Sequence, residues 1–498
     1  MNKFLHKILP AFLMLFILQA LFLSISYAQQ DLTIYNMQSI PQSGYTNPAF
    51  KPMPEYKFYI GFPALSSFYV GVGNTTGLKS KNNIIRRDDD SLNINIDNFV
   101  DKLKKRNFLS LQLQEEILSF GFRQKKNYFS FSLTEKFFAH FSYPKDLMLL
   151  LWKGNGQFVG KTAEFKGIGL NAMHYREYAV GMSREINNRL TVGAKAKLLF
   201  GKLNVKSKKT EISLYTDENT YDLTANSNIL INTSIPEAMF EDSLDFDAGN
   251  YLMNTKNKGL AIDLGASYKL NNKFTFSASV IDLGYIKWKT DVKNYYNDNV
   301  SFTFEGFDVG DMLKYDTIDF NDVAEELLDS LADIFEIKEK SSSYSTTLNS
   351  KIYLSGVYNL TSKDKIGALV RIEFFNKAVH PALTLSYNKQ FGKILNLSGS
   401  YSMRNRNYGN LGLGFALNLG PLQFYLISDN ILGPLIYDKY EWTEEENQYD
   451  NNGNKTGVSY EEYSIMFPSY SRYINVHFGV NFIFGYKGPK KSAPSLTD

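Results

Sequence analysis

The sequence predicts an all-β fold, a transmembrane antiparallel β-barrel of about 14 strands with an N-terminal hatch segment and short helices in its extracellular loops. Three observations carry this expectation. Apolar and polar residues alternate with period two over segments often 12 to 17 residues long, where soluble domains use about five or six. The connections between these segments alternate short and long. No segment after residue 28 reaches the roughly 18 consecutive apolar residues of a helical span.

The elements follow in chain order. Residues 1–28 read as a secretory signal peptide: Lys3 and Lys7 precede the apolar run "ILPAFLMLFILQALFL", and Ser26-Tyr27-Ala28 fits a small-x-small cleavage site. Removing those two lysines from 54 basic residues leaves 52 against 51 acidic ones, a balance of +1 that excludes an electrostatic footprint for nucleic acid. The chain has no cysteine, hence neither a lipidated anchor nor a disulfide. Residues 29–56 carry Pro41, Pro48, Pro52 and Pro54 together with Tyr45 and Phe50. Their apolar content favours a hatch packed in or under the barrel, with Asn47, Pro48, Ala49 and Phe50 at its centre; a disordered lead is the alternative.

The barrel is expected over residues 57–486, with strands near 57–73, 108–123, 127–143, 164–186, 189–206, 259–271, 273–289, 345–360, 364–376, 379–391, 394–406, 408–419, 421–431 and 473–485. "NLGLGFALNLG" (410–420) shows the pattern: Leu411, Leu413, Phe415, Leu417 and Leu419 share one face, and Asn410, Gly412, Gly414, Ala416 and Asn418 the other. The same alternation makes Lys195, Lys197, Asp263, Lys269, Arg371 and Glu373 lumen-facing candidates, either tuning a channel or pairing as structural ballast. A soluble β-sandwich also alternates. Strand length, export signal, aromatic content (33 Tyr and 38 Phe) and the connections favour the barrel, whose strands must close because an open edge is costly in lipid. "RQKKN", "INNR", "LNNK", "TSKD", "FGK" and "LGP" are tight turns that suit the periplasmic rim. Long loops at 74–107, 144–163, 207–258, 290–344 and 432–472 suit the outer rim, and 487–498 forms a periplasmic tail.

Within these loops, "NDVAEELLDSLADIF" places Val323, Leu327, Leu331 and Phe335 on one helical face, and a second helix begins at Asp97 with Phe99, Val100 and Leu103. "EWTEEENQYDNNGNK" reads as a mobile acidic surface loop, and "RRDDD" (86–90) as a solvated charge run. His140 and Ser142 share a strand face, as base and nucleophile would, but the alternation turns both into the lumen and no orienting acid is identifiable. No enzyme, catalytic residue, metal site or cofactor is expected, since neither a phosphate loop nor a paired metal-ligand spacing occurs.

"NPAF" before the first strand, "GLAIDLGASYKLNNKFTFSASVIDLGYIKW" in the middle and "INVHFGVNFIFG" at the end resemble uncharacterised outer-membrane proteins of Bacteroidota grouped as a domain of unknown function. The "NPA" element is shared more loosely with the FadL-type fatty-acid transporter superfamily and with barrels of the type IX secretion system. The resemblance implies a fourteen-stranded barrel in the bacterial cell outer membrane whose hatch includes Asn47, Pro48 and Ala49. The expected partners are outer-membrane lipid, a hydrophobic small molecule, and envelope or secreted proteins. The expected function is a passive channel for small hydrophobic or amphipathic compounds, with a docking or assembly barrel as alternative and a lipid hydrolase third.

Overall fold

The computed structural model describes residues 31–52, 57–75, 85–88, 91–94, 96–236, 239, 247–304, 335–376, 378–404, 407–432, 437–449, 455–468 and 473–485. The signal peptide, the tail, and Val323, Leu327 and Leu331 lie outside them; Phe335 is in a turn.

Fourteen strands close a barrel: β1 (Phe58–Gly61 and Phe68–Asn74), β2 (Arg106–Gln124), β3 (Asn127–Pro144), β4 (Gly169–Glu185), β5 (Leu190–Thr216), β6 (Asn257–Lys269), β7 (Phe274–Trp288), β8 (Tyr344–Thr347 and Lys351–Asn359), β9 (Asp364–Phe375), β10 (Ala378–Phe391), β11 (Leu395–Arg404), β12 (Asn407–Leu419), β13 (Leu422–Ser428) and β14 (Tyr473–Phe484). Each is antiparallel to its neighbours. β14 returns to β1, pairing Phe58 with Phe484 and Ile60 with Phe482, so the wall has no edge. Both barrel termini lie on the rim of the short turns, where Lys57 N donates to Phe484 O at 3.0 Å.

Alternation along β12 sets its two faces: Leu411, Leu413 and Phe415 are exposed, while Gly412, Gly414 and Ala416 are buried. Val180, Leu260, Leu264, Phe276, Leu354, Leu385 and Phe424 extend the outward belt. Leaving such side chains in water forgoes ~1.5–3 kcal/mol each; a continuous belt of them is a surface made for acyl chains. The chain is therefore a membrane-spanning barrel of the outer-membrane kind.

Several loops differ from expectation. β5 runs on to Thr216, above the barrel, and pairs there with Leu223–Ser234, which in turn pairs with Val292–Tyr296 and Val300–Phe304. Thr162–Glu164 joins the edge of this outer sheet instead of opening β4. The acidic segment expected as a mobile loop forms a hairpin, Tyr437–Tyr449 with Lys455–Pro468. The physical reason is common to all: strand pairing, with a distant segment in the outer sheet and across a local hairpin in the acidic segment, supplies the backbone hydrogen bonds that loop composition leaves open. Two helices pack side by side on the outer rim, α1 (Ile96–Lys102) and α2 (Lys145–Lys153), joining Phe99 and Leu103 to Met148, Trp152 and Tyr143. A third, α3 (Ala248–Met253), precedes β6.

Candidate functional site

The lumen is occupied by residues 31–52, which fold as two short 3-10 turns, Ile34–Asn36 and Pro41–Tyr45. Proline fixes φ and lacks a donor; Pro41, Pro48 and Pro52 keep this segment from joining the wall as a strand. It is instead held by side chains. Thr33 N donates to Asp429 Oδ1 at 2.7 Å, Thr33 Oγ1 lies 2.8 Å from Ser400 Oγ, and Asn36 Nδ2 donates to Ser386 Oγ at 3.0 Å. Two apolar clusters seat it further. Leu32, Tyr35 and Phe50 pack with Ile281, Tyr353, Leu369 and Ala382, and Ile34, Met37 and Ile40 pack with Ala416, Tyr425 and Ile427.

Asn47-Pro48-Ala49 sits against the wall at β5 and β6. Asn47 is fully buried. Its Oδ1 accepts from Ala49 N at 2.9 Å, and its Nδ2 donates to the carbonyls of Ala266 and Ala278, both at 3.3 Å. Ser279 and Ser183 donate to the Thr46 and Ala49 carbonyls at 2.6 and 3.1 Å. Two glycines make this approach possible: a Cβ on Gly265 would overlap Asn47 Oδ1, and one on Gly193 would lie 2.5 Å from Ala49 N. At Gly193 and Gly265 the small residues of the lumen face leave the space that Asn47-Pro48-Ala49 occupies.

Two described wall strands, β1 and β8, are interrupted; residues 31–52 lie against the interruption in β1, where Phe62 N and Ala64 N still donate to Val480 O and Ile117 O at 2.9 and 3.0 Å. β1 is interrupted between Gly61 and Phe68, where Phe62 and Leu65 turn outward and Ala64 takes φ 59°. Ser66 O then faces the lumen. Gln42 Nε2 donates to it at 3.1 Å, to Glu116 Oε1 on β2 at 3.3 Å and to Asn481 Oδ1 on β14 at 2.9 Å, while Asn481 Nδ2 donates back to Gln42 Oε1 at 3.0 Å. Tyr425 also donates to Ser66 O, at 2.8 Å. One hatch glutamine therefore ties β1, β2 and β14 together at the interruption.

A charge network lies in the lumen along β3 to β9. Lys197 bridges Asp263 at 2.7 Å and Asp282 at 2.6 Å, with Glu177 at 3.7 Å. Lys136 reaches Glu177 at 2.8 Å, Lys351 reaches Asp282 at 3.6 Å, and Arg371 pairs with Glu373 at 3.2 Å. Asp282 belongs here through a bulge in β7 with φ 60°, a parity change that alternation could not reveal. Lys195 stands apart with its ammonium 4.8 Å over the Tyr45 ring of the hatch. Lys269 is exposed at the turn end of β6, outside the network.

His140 and Ser142 do not act on one another. The Ser142 hydroxyl donates to Gly167 O at 2.7 Å and Gly169 O at 3.3 Å, and the His140 ring is stacked on Phe108 and edge-on to Phe375. Cavities of about 30 Å³ (lined by His140, Glu373, His380 and Arg404) and about 60 Å³ (lined by Lys136, Tyr175, Asp282 and Lys351) remain beside the network.

Residues 48–429 match a family of unknown function, DUF5723. Curated proteins provide no match. Among solved structures the chain is similar to the toluene transporter TbuX of Ralstonia pickettii (TM-score 0.40, 10% identity, covering 89% of this chain and 94% of that one). It is also similar to the toluene transporter TodX of P. putida (0.38, 10%, 93% and 96%) and to a FadL homologue of Pseudomonas aeruginosa (0.37, 11%, 90% and 94%).

Proposed function

The chain belongs to the DUF5723 family, and within that family we propose that it is a passive channel for small hydrophobic or amphipathic compounds, gated by its hatch. The single observation that supports this reading is Gln42, by which a non-strand segment inside the lumen is tied through side-chain hydrogen bonds to three strands at the interruption in β1. An apolar cavity of roughly 150 Å³ takes up benzene; the two lumen cavities beside the charge network, about 30 and 60 Å³, are well below that volume. Passage therefore requires residues 31–52 to shift, which opens a route downward or sideways through the β1 interruption into the bilayer.

The absence of native cysteine gives a clean test. Thr33→Cys with Ser400→Cys replaces hydroxyls 2.8 Å apart and locks the hatch to β11. Oxidised protein should take up a hydrophobic fluorescent probe no faster than empty vesicles, and reduction should restore uptake. Equal uptake in both states would remove the hatch as gate. The docking reading draws support from the outer sheet raised on β5; loss of a co-purifying envelope protein on trimming residues 207–234, with uptake unchanged, would favour it.

A further inference from the structure

On the outer wall, the apolar belt ends at a row of lysines. Leu260 and Tyr285 are registered opposite each other on β6 and β7, 60% and 50% exposed. Two residues further toward the outer rim, Lys258 and Lys287 are opposite each other, both exposed on the lipid side. Lys256 and Lys289, also exposed, flank them. Like charges directly across a strand pair repel, and among the described residues no acidic side chain pairs with either lysine. Lys293 nearby is matched to Glu339 at 3.9 Å, and Arg176 on β4 is matched to Glu135 on β3. Lys256, Lys258, Lys287 and Lys289 make no ion pair among the described residues. Asp291, the acid just beyond Lys289, is exposed and makes none with them; its carbonyl accepts from Ile235 N at 3.1 Å.

Two unsatisfied ammonium groups at one register, directly above lipid-facing Leu260, Leu283 and Tyr285, fit an anion whose tail runs down the barrel. We propose that Lys258 and Lys287, supported by Lys256 and Lys289, bind the phosphate of an anionic lipid headgroup in the outer leaflet. Basic side chains at a membrane boundary recognise such headgroups, and Tyr285 lies at the depth where aromatic side chains anchor barrels. The site is independent of the lumen and of transport.

The test uses the full chain in phosphatidylcholine nanodiscs, titrated with a fluorescent phosphatidic acid. K258Q/K287Q should bind it about thirtyfold more weakly than the parent chain, the effect expected of two lysines near a charged membrane surface. K273Q/K363Q, which removes the same charge from exposed turns on the opposite rim, should change affinity less than about threefold by long-range charge alone. Inorganic phosphate at matched ionic strength should not displace the lipid. Equal weakening in both variants, no weakening in K258Q/K287Q, or displacement by inorganic phosphate would each overturn the assignment. If the double variant does not assemble, K287Q alone carries the test, with about a fivefold loss expected.

Discussion

Replacing Gly265 by alanine should release the hatch. The added methyl would overlap Asn47 Oδ1 and lie 2.8 Å from Pro48 Cδ, and Asn47 has no room to retreat because it is fully buried. Overpacking of this kind costs ~1–3 kcal/mol. Displacing the carboxamide also strands the Ala49 amide, 2.9 Å away in the seated state, and an unsatisfied buried amide costs ~1–3 kcal/mol. A combined loss of about 3 kcal/mol shifts the seated-to-released ratio about a hundredfold. Hydrogen exchange across residues 31–52 reads seating, and uptake of a hydrophobic probe into proteoliposomes reads permeability; both should rise together. Gly399→Ala is the matched control, since its methyl meets only Leu413 Cδ2 at 4.0 Å. Faster exchange without faster uptake would refute the gating argument, and unchanged exchange would refute the claim that this contact seats the hatch.

Gln42→Leu keeps the volume but removes the hydrogen bonds from residues 31–52 to Ser66 O, Glu116 Oε1 and Asn481; Tyr425, Ser119 and Gln423 still serve these wall groups, so the loss is about 0.5–1.5 kcal/mol for each bond removed. Probe should then enter the bilayer phase of proteoliposomes faster than it crosses to their interior; a uniform rise in both would argue against a sideways route. Lys197→Met removes the cation common to Asp263, Asp282 and Glu177, and breaking a buried pair from one side costs ~3–5 kcal/mol. Heat-modifiable mobility in detergent should shift to a lower temperature, and adding Asp263→Asn should recover part of the loss. An unmoved transition would mean the network contributes no stability.

Strand number, closure and the lipid-facing belt were legible in the sequence because they depend on local period and on turn residues, properties of neighbours in the chain. Leu411, Leu413 and Phe415 declare their face through Gly412 and Gly414 alone. The tertiary structure alone decided which groups meet, since register across strands is a non-local quantity. The bulge at Asp282 moved an acid into reach of Lys197, pairing distant segments turned composition-poor loops into an outer sheet, and β6 against β7 set Lys258 opposite Lys287. The same limit hid the role of the glycines. Gly193 and Gly265 look like weak strand residues until the Asn47-Pro48-Ala49 segment, more than 140 positions earlier than Gly193, is seen to occupy the space that their missing side chains leave.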